Sequence, residues 1–97
     1  MAFKLVWSEE ALEDIESIAT YIEKDSPIYA KAVVSKFFEK VEILRTNPEL
    51  GRTVPEMDNK KIREIFIYSY RLIYKIDTNT ILLTAVIHGK RLLENHN

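Results

Sequence analysis

The chain has 97 residues, no cysteine, 46% hydrophobic and 30% charged residues, and a formal net charge of −1. That length suits one domain spanning residues 1–97, and the composition is that of a folded globular protein, outside the low-hydrophobicity, high-charge regime of disorder. It excludes disulfides and thiolate metal sites, and a pI near 6.1 excludes nucleic-acid binding by bulk charge alone.

The near-zero charge hides an asymmetry. Residues 1–50 carry 6 Lys+Arg against 10 Asp+Glu, whereas residues 51–97 carry 8 against 5. The basic half, with Lys60, Lys61, Arg63, Arg71, Lys75, Lys90 and Arg91, could meet an acidic protein segment or phosphates. The stretch from Met1 to Trp7 lacks a signal-peptide pattern, and no apolar run approaches the roughly 20 residues needed to cross a bilayer. A soluble cytoplasmic protein with no membrane contact is therefore expected.

In chain order, Phe3, Leu5 and Trp7 alternate with Ala2, Lys4 and Val6, which predicts a short strand. Ser8 is a candidate N-cap, followed by Glu9 and Glu10 where a helix dipole favours negative charge. Ala11, Leu12, Ile15, Ile18, Ala19 and Ile22 then form one apolar stripe, predicting a helix that ends near Lys24 and Asp25. Ser26-Pro27 restarts a helix, because Ser caps the free amides and Pro is tolerated at the first helical position. Ala30, Val33, Val34, Phe37, Val41 and Leu44 form its stripe, and Asn47-Pro48 is expected to end it. So short a connection implies an antiparallel helical hairpin.

Leu50-Gly51-Arg52 opens an irregular stretch that runs to Lys61. From Ile62 the period changes from 3.6 to 2, predicting two strands joined by a tight turn at Tyr68-Ser69 and a second turn at Asp77-Thr78-Asn79-Thr80. Ile81 to His88 is a nearly continuous apolar run that suits a central strand. The expected fold is α+β, in the order β-α-α-β-β-β, with the helical hairpin packed on a small, mainly antiparallel sheet.

No Gly-rich phosphate loop, Gly-x-Ser-x-Gly elbow, CxxC or His-Glu-x-x-His is present, and His88 and His96 are the only histidines. No metal and no cofactor are expected. Arg71 and Lys75 alternate with Tyr70, Leu72 and Tyr74, which places them on the sheet face away from the helices. If His88 and Arg91 sit beside Arg71 and Arg63, an imidazole and several guanidiniums would share one surface suited to phosphodiester transesterification. The alternative is that Arg71 and Lys75 are solvent-facing strand residues and His88 a strand-end histidine with no chemistry. Tyr68, Tyr70 and Tyr74 could stack on bases or simply pack in the core and its rim.

Three segments together resemble the RelE/ParE toxin superfamily. They are Trp7-Ser8-Glu9-Glu10-Ala11-Leu12-Glu13-Asp14-Ile15 running into Tyr21-Ile22; Asn47-Pro48-Glu49-Leu50-Gly51-Arg52, similar to the family's Pro-x-x-Gly-Arg junction; and Arg63-Glu64 with Tyr70-Arg71-Leu72-Ile73-Tyr74, followed by the strand from Ile81 and a His-x-x-Arg ending at His88 and Arg91. The likeness covers Phe3 to Leu92. It implies a toxin neutralised by a cognate antitoxin, in a toxin–antitoxin hetero-oligomer.

RelE-like members cut messenger RNA on the ribosome, and ParE-like members inhibit DNA gyrase. The acidic pI, the long hairpin and the lack of a Tyr or Phe beside His88 resemble the ParE branch, which implies a non-catalytic gyrase inhibitor with no catalytic residues. Under the ribosome-dependent endoribonuclease alternative, the catalytic groups would be His88, Arg71, Arg63 and Arg91. Target or antitoxin contact is expected at Arg52, Arg63, Arg71, Lys75, His88, Lys90 and Arg91, with the tail from Leu92 to Asn97.

Overall fold

The computed structural model describes residues 2–91. Strand β1 (Lys4–Trp7) leads through the Ser8 cap into α1 (Glu9–Glu23), and the Ser26 cap starts α2 (Pro27–Glu42). Both caps act as their residue types predict: Ser8 Oγ accepts from the Ala11 amide at 3.0 Å and Ser26 Oγ from the Tyr29 amide at 3.1 Å. The α-helical ladder stops at Glu42, earlier than the Asn47-Pro48 signal suggests. A 3-10 turn at Ile43–Arg45 carries the chain on and keeps Leu44 fully buried, and a second follows at Pro48–Leu50.

The sheet has five strands, one more than expected. Beyond β1 they are the two-residue β2 (Arg52–Thr53), β3 (Ile62–Ile67), β4 (Tyr70–Ile76) and β5 (Thr80–His88), in spatial order β1-β5-β4-β3-β2. β1 runs parallel to β5, and every other pairing is antiparallel. β5 is an interior strand between β1 and β4, which suits its apolar run, and β4 is the middle one of the five. β2 escapes sequence analysis because two charged or polar residues carry no period; it exists only because β3 offers it an edge.

The helices pack on one sheet face around Ala11, Ile15, Val33, Phe37, Leu72, Tyr74, Ile81 and Leu83. Burying each large side chain contributes about 1.5–3 kcal/mol. One irregularity sets the site. Ile73 pairs with Ala85 but Tyr74 pairs with Leu83, so Thr84 is an extra residue that bulges β5. Ile81 and Leu83 face the helices before the bulge and Val86 after it, so the inward phase moves by one residue.

Tyr74 ties the sheet to the segment before β2. Its phenol donates to the Pro48 carbonyl at 2.6 Å and accepts from the Gly51 amide at 2.9 Å. Burial pushes this phenol above its ordinary value of 10.0, partly opposed by the Gly51 amide and Arg63. A value raised in the folded state means that this stability is present below about pH 10 and is lost as pH rises through the raised value. Tyr74→Phe is therefore expected to cost about 1–3 kcal/mol at neutral pH, by orphaning a buried amide and carbonyl. It should also flatten the alkaline loss of stability, in part only, because burial raises Tyr70 too. Urea denaturation of both proteins from about pH 7 to about pH 11 checks this.

Candidate functional site

The sheet face away from the helices is where the sequence places Arg71, and the structure agrees on the face. It differs on exposure. The segment from Val54 to Met57 folds over this face: Val54 is buried there with Ile73, and Glu56 reaches Arg71. Arg71, expected to look onto an open face, has a side chain only 5% exposed. Its Nη1 and Nη2 donate to the two Glu56 oxygens at 2.7 and 2.8 Å, its Nε donates to Glu64 at 2.6 Å, and Nη1 also reaches the Arg91 carbonyl at 2.9 Å. Hydrogen bonding to Glu56, opposed by burial and joined by Glu64, holds this guanidinium charged above its ordinary range. Arg52 Nε takes the second oxygen of the fully buried Glu64 at 2.5 Å, and its guanidinium lies 5.1 Å from the centre of the Phe66 ring.

These four charges form one neutral network of two arginines and two glutamates. Its acidic half is absent from the sequence-based site. Glu64 was within reach of inference, because a two-residue turn at Tyr68-Ser69 sets Glu64 opposite Ile73, diagonal to Arg71 on the same face. Glu56 gives no such signal, since it arrives from an aperiodic segment.

The other expected residues lie apart. Arg63 pairs with Tyr74 on the helix-facing side, where it donates to the Gly51 carbonyl at 2.9 Å and the Lys60 carbonyl at 3.2 Å and sits 3.7 Å from Glu49. His88 pairs with Tyr70 at the other end of the sheet, their ring centres 5.9 Å apart. Four residues along and two strands across, that is about 16 Å from Arg63. Because of the bulge at Thr84, His88 shares Tyr70's side of the sheet and Arg71 lies on the opposite side with Ile87.

His88 and Arg91 do share a groove with Asp14, Ser17, Tyr21 and Tyr70. There Asp14 accepts from the Val86 amide at 2.9 Å, and burial, with Tyr29 and Tyr21, raises the Tyr70 phenol, so it stays protonated and is no base at neutral pH. Lys75 and Lys90 make no ion pair among the described residues; Lys75 is exposed on β4. The expected tail, residues 92–97, lies outside the described residues.

Gly89 explains why no aromatic follows His88. Its amide donates to the Ser69 carbonyl at 2.6 Å, and a Cβ on it would sit 2.9 Å from that oxygen. The turn it abuts is itself constrained, with Tyr68 at φ 54, a left-handed conformation that favours glycine. Among the described residues, no group of three or more His, Asp or Glu is placed to hold a metal ion, and no helix is long and apolar enough to cross a membrane.

Solved structures with this architecture define its class. A chain of the chromosomal ParDE toxin–antitoxin system of P. aeruginosa superposes with a TM-score of 0.75 at 17% identity, covering 92% of this chain and 98% of that one. A variant of the E. coli toxin RelE in the free state gives 0.66 at 19%, covering 93% and 86%. A chain of the RelBE2 toxin–antitoxin complex of Mycobacterium tuberculosis gives 0.59 at 22%, covering 91% and 99%. The fold is that of the RelE/ParE toxins. A family model described as ParE toxin of type II toxin-antitoxin system, parDE, matches residues 5–93, so the chain belongs to the ParE toxin family. No curated protein sequence matches it.

Proposed function

We propose that this type II toxin stops growth by binding DNA gyrase in the cytoplasm, without cleaving a substrate, and that a cognate antitoxin neutralises it in a hetero-oligomer. The observation that carries the reading is the separation of the groups a ribonuclease would need. His88 and Arg71 lie on opposite sides of the sheet, Arg63 lies about 16 Å from His88, and Arg71 is occupied by two carboxylates. A proton-transfer site needs its acid, base and charge stabiliser within hydrogen-bond reach of one reacting centre.

Of the cations expected at the contact, Lys75, Lys90 and Arg91 make no ion pair among the described residues, and of these Arg91 lines the groove with His88; Arg52, Arg63 and Arg71 contribute by holding the sheet and its covering segment in shape. An acidic, amphipathic antitoxin segment suits this basic half.

Purified toxin added to a gyrase supercoiling reaction is expected to inhibit it, and added to a translation extract it is expected to leave the message uncut by primer extension. Codon-phased cuts with normal supercoiling would sink the reading in favour of a ribosome-dependent endoribonuclease. His88→Ala should leave growth inhibition within about threefold of the parent, whereas loss of an acid or base would reduce a nuclease by roughly 100-fold or more. Colony counts after induction without antitoxin measure it.

A further inference from the structure

Among the described residues the most exposed aromatic ring is Tyr21, 71% accessible near the end of α1. Ser17 and Tyr21 are four residues apart, so they stand one above the other on the helix and form a ridge. Both line two grooves at once. One groove runs along α1 past Glu13, Glu16 and Thr20, with Lys24 at its end. The other is the groove described above: Ile18, Tyr70 and Val86 are its less exposed members, and His88 and Arg91 its exposed wall.

Glu13, Glu16 and Arg91 are exposed and make no ion pair among the described residues. Arg71 fixes the Arg91 carbonyl at 2.9 Å, and Asp14, inside the groove, is held by the Val86 amide at 2.9 Å. Across this surface the order is therefore carboxylates, aromatic ridge, largely apolar groove, cation. Reversed, that order is its own complement: ridge meets groove, and carboxylates meet cation. A two-fold axis performs that reversal, so each feature enters the contact once from each copy.

We propose that two copies of this chain pair through this face about a two-fold axis. The Tyr21 ring of each copy seats in the groove of the other, and Glu13 and Glu16 of each face Arg91 of the other. A covered tyrosine supplies large buried area with few rotatable bonds and keeps its hydroxyl for a polar partner, which makes it a common anchor of protein contacts. The charges at the rim fix the orientation more than the strength. Nucleic acid is the poorer occupant, because Glu13 and Glu16 stand beside the ring and repel phosphate. The pairing covers His88 and Arg91, which a target would otherwise meet, and it does not depend on what that target is.

Sedimentation equilibrium of the purified toxin tests it, with a monomer–dimer midpoint expected between about 1 and about 100 µM. Tyr21→Ala should raise that midpoint at least about tenfold. Arg91→Glu alone, and Glu13→Arg with Glu16→Arg, should each raise it several-fold, roughly, by setting like charges against each other. A toxin carrying all three changes should return toward the parent, because the charges are then exchanged and not removed. These positions are exposed, so every variant should keep the melting temperature of the parent. A toxin that stays monomeric up to about 100 µM would overturn the proposal. So would a dimer indifferent to Tyr21→Ala, whose contact must lie on another face, or a threefold variant no tighter than the partial ones, which rules out the two-fold arrangement. A monomeric toxin whose capture of a gyrase subunit or of a cognate antitoxin falls with Tyr21→Ala would assign the groove to that protein instead.

Discussion

Glu64→Ala is expected to lower the stability of the toxin by about 3–5 kcal/mol, the loss typical of removing one partner from a buried ionic network. The Glu64 side chain has no exposed surface, and both its oxygens are taken, one by Arg52 at 2.5 Å and one by Arg71 at 2.6 Å. Without it Arg71 keeps Glu56 and the Arg91 carbonyl, but its Nε is left without an acceptor in a site that admits little water. Arg52 at the same time loses the anchor that holds it over Phe66. Glu64→Gln keeps the shape and one acceptor oxygen while losing the charge, so a smaller loss is expected. Against a total of about 5–15 kcal/mol for a domain, the alanine variant should show a urea midpoint shifted well down with the slope unchanged. A loss below about 1 kcal/mol would show that the network adds nothing beyond its solvation cost. The exposed Lys36–Glu39 pair, 3.3 Å apart, is the contrast: screened by water and salt, its removal should be almost silent.

Gly51→Ala is the second large effect, at about 3 kcal/mol, combining overpacking with a broken buried hydrogen bond. The backbone at Gly51, φ −72 and ψ 153, is open to any residue, so the glycine is needed for space alone. A Cβ there would lie 2.5 Å from the Glu64 carbonyl and 2.7 Å from the Tyr74 hydroxyl. To admit it, the chain entering β2 must move off β3, which breaks the Gly51 amide to Tyr74 contact and loosens the Arg52–Glu64 pair next to it. Thermal unfolding and the near-ultraviolet tyrosine signal would both move. A melting temperature within a degree or so of the parent would mean that β2 yields freely and that the Tyr74 clamp adds little.

Much of the fold was legible in the chain. Ser8 and Ser26-Pro27 mark the two helix starts because capping is a contact between residues two or three apart, and the strands from Ile62 onward show their period because one face must be apolar. The helical hairpin, the interior place of β5 and the turn at Tyr68-Ser69 follow from that patterning. The candidate site was legible only as a set of residue types. Arg52, Arg63 and Arg71 read as free cations on a surface, yet each is bound to a carboxylate or carbonyl contributed from elsewhere in the chain.

The α+β architecture, its element order and the likeness to the RelE/ParE toxins all rest on short-range patterning read along most of the chain. Where the charges go depends instead on contacts made across the fold. The bulge at Thr84 turns His88 away from Arg71, the covering segment brings Glu56 onto that arginine, and β2 stops short of Phe66. Each depends on backbone pairing between distant segments, and a one-residue change of register there reverses the face a side chain occupies while leaving the hydrophobic pattern almost unaltered.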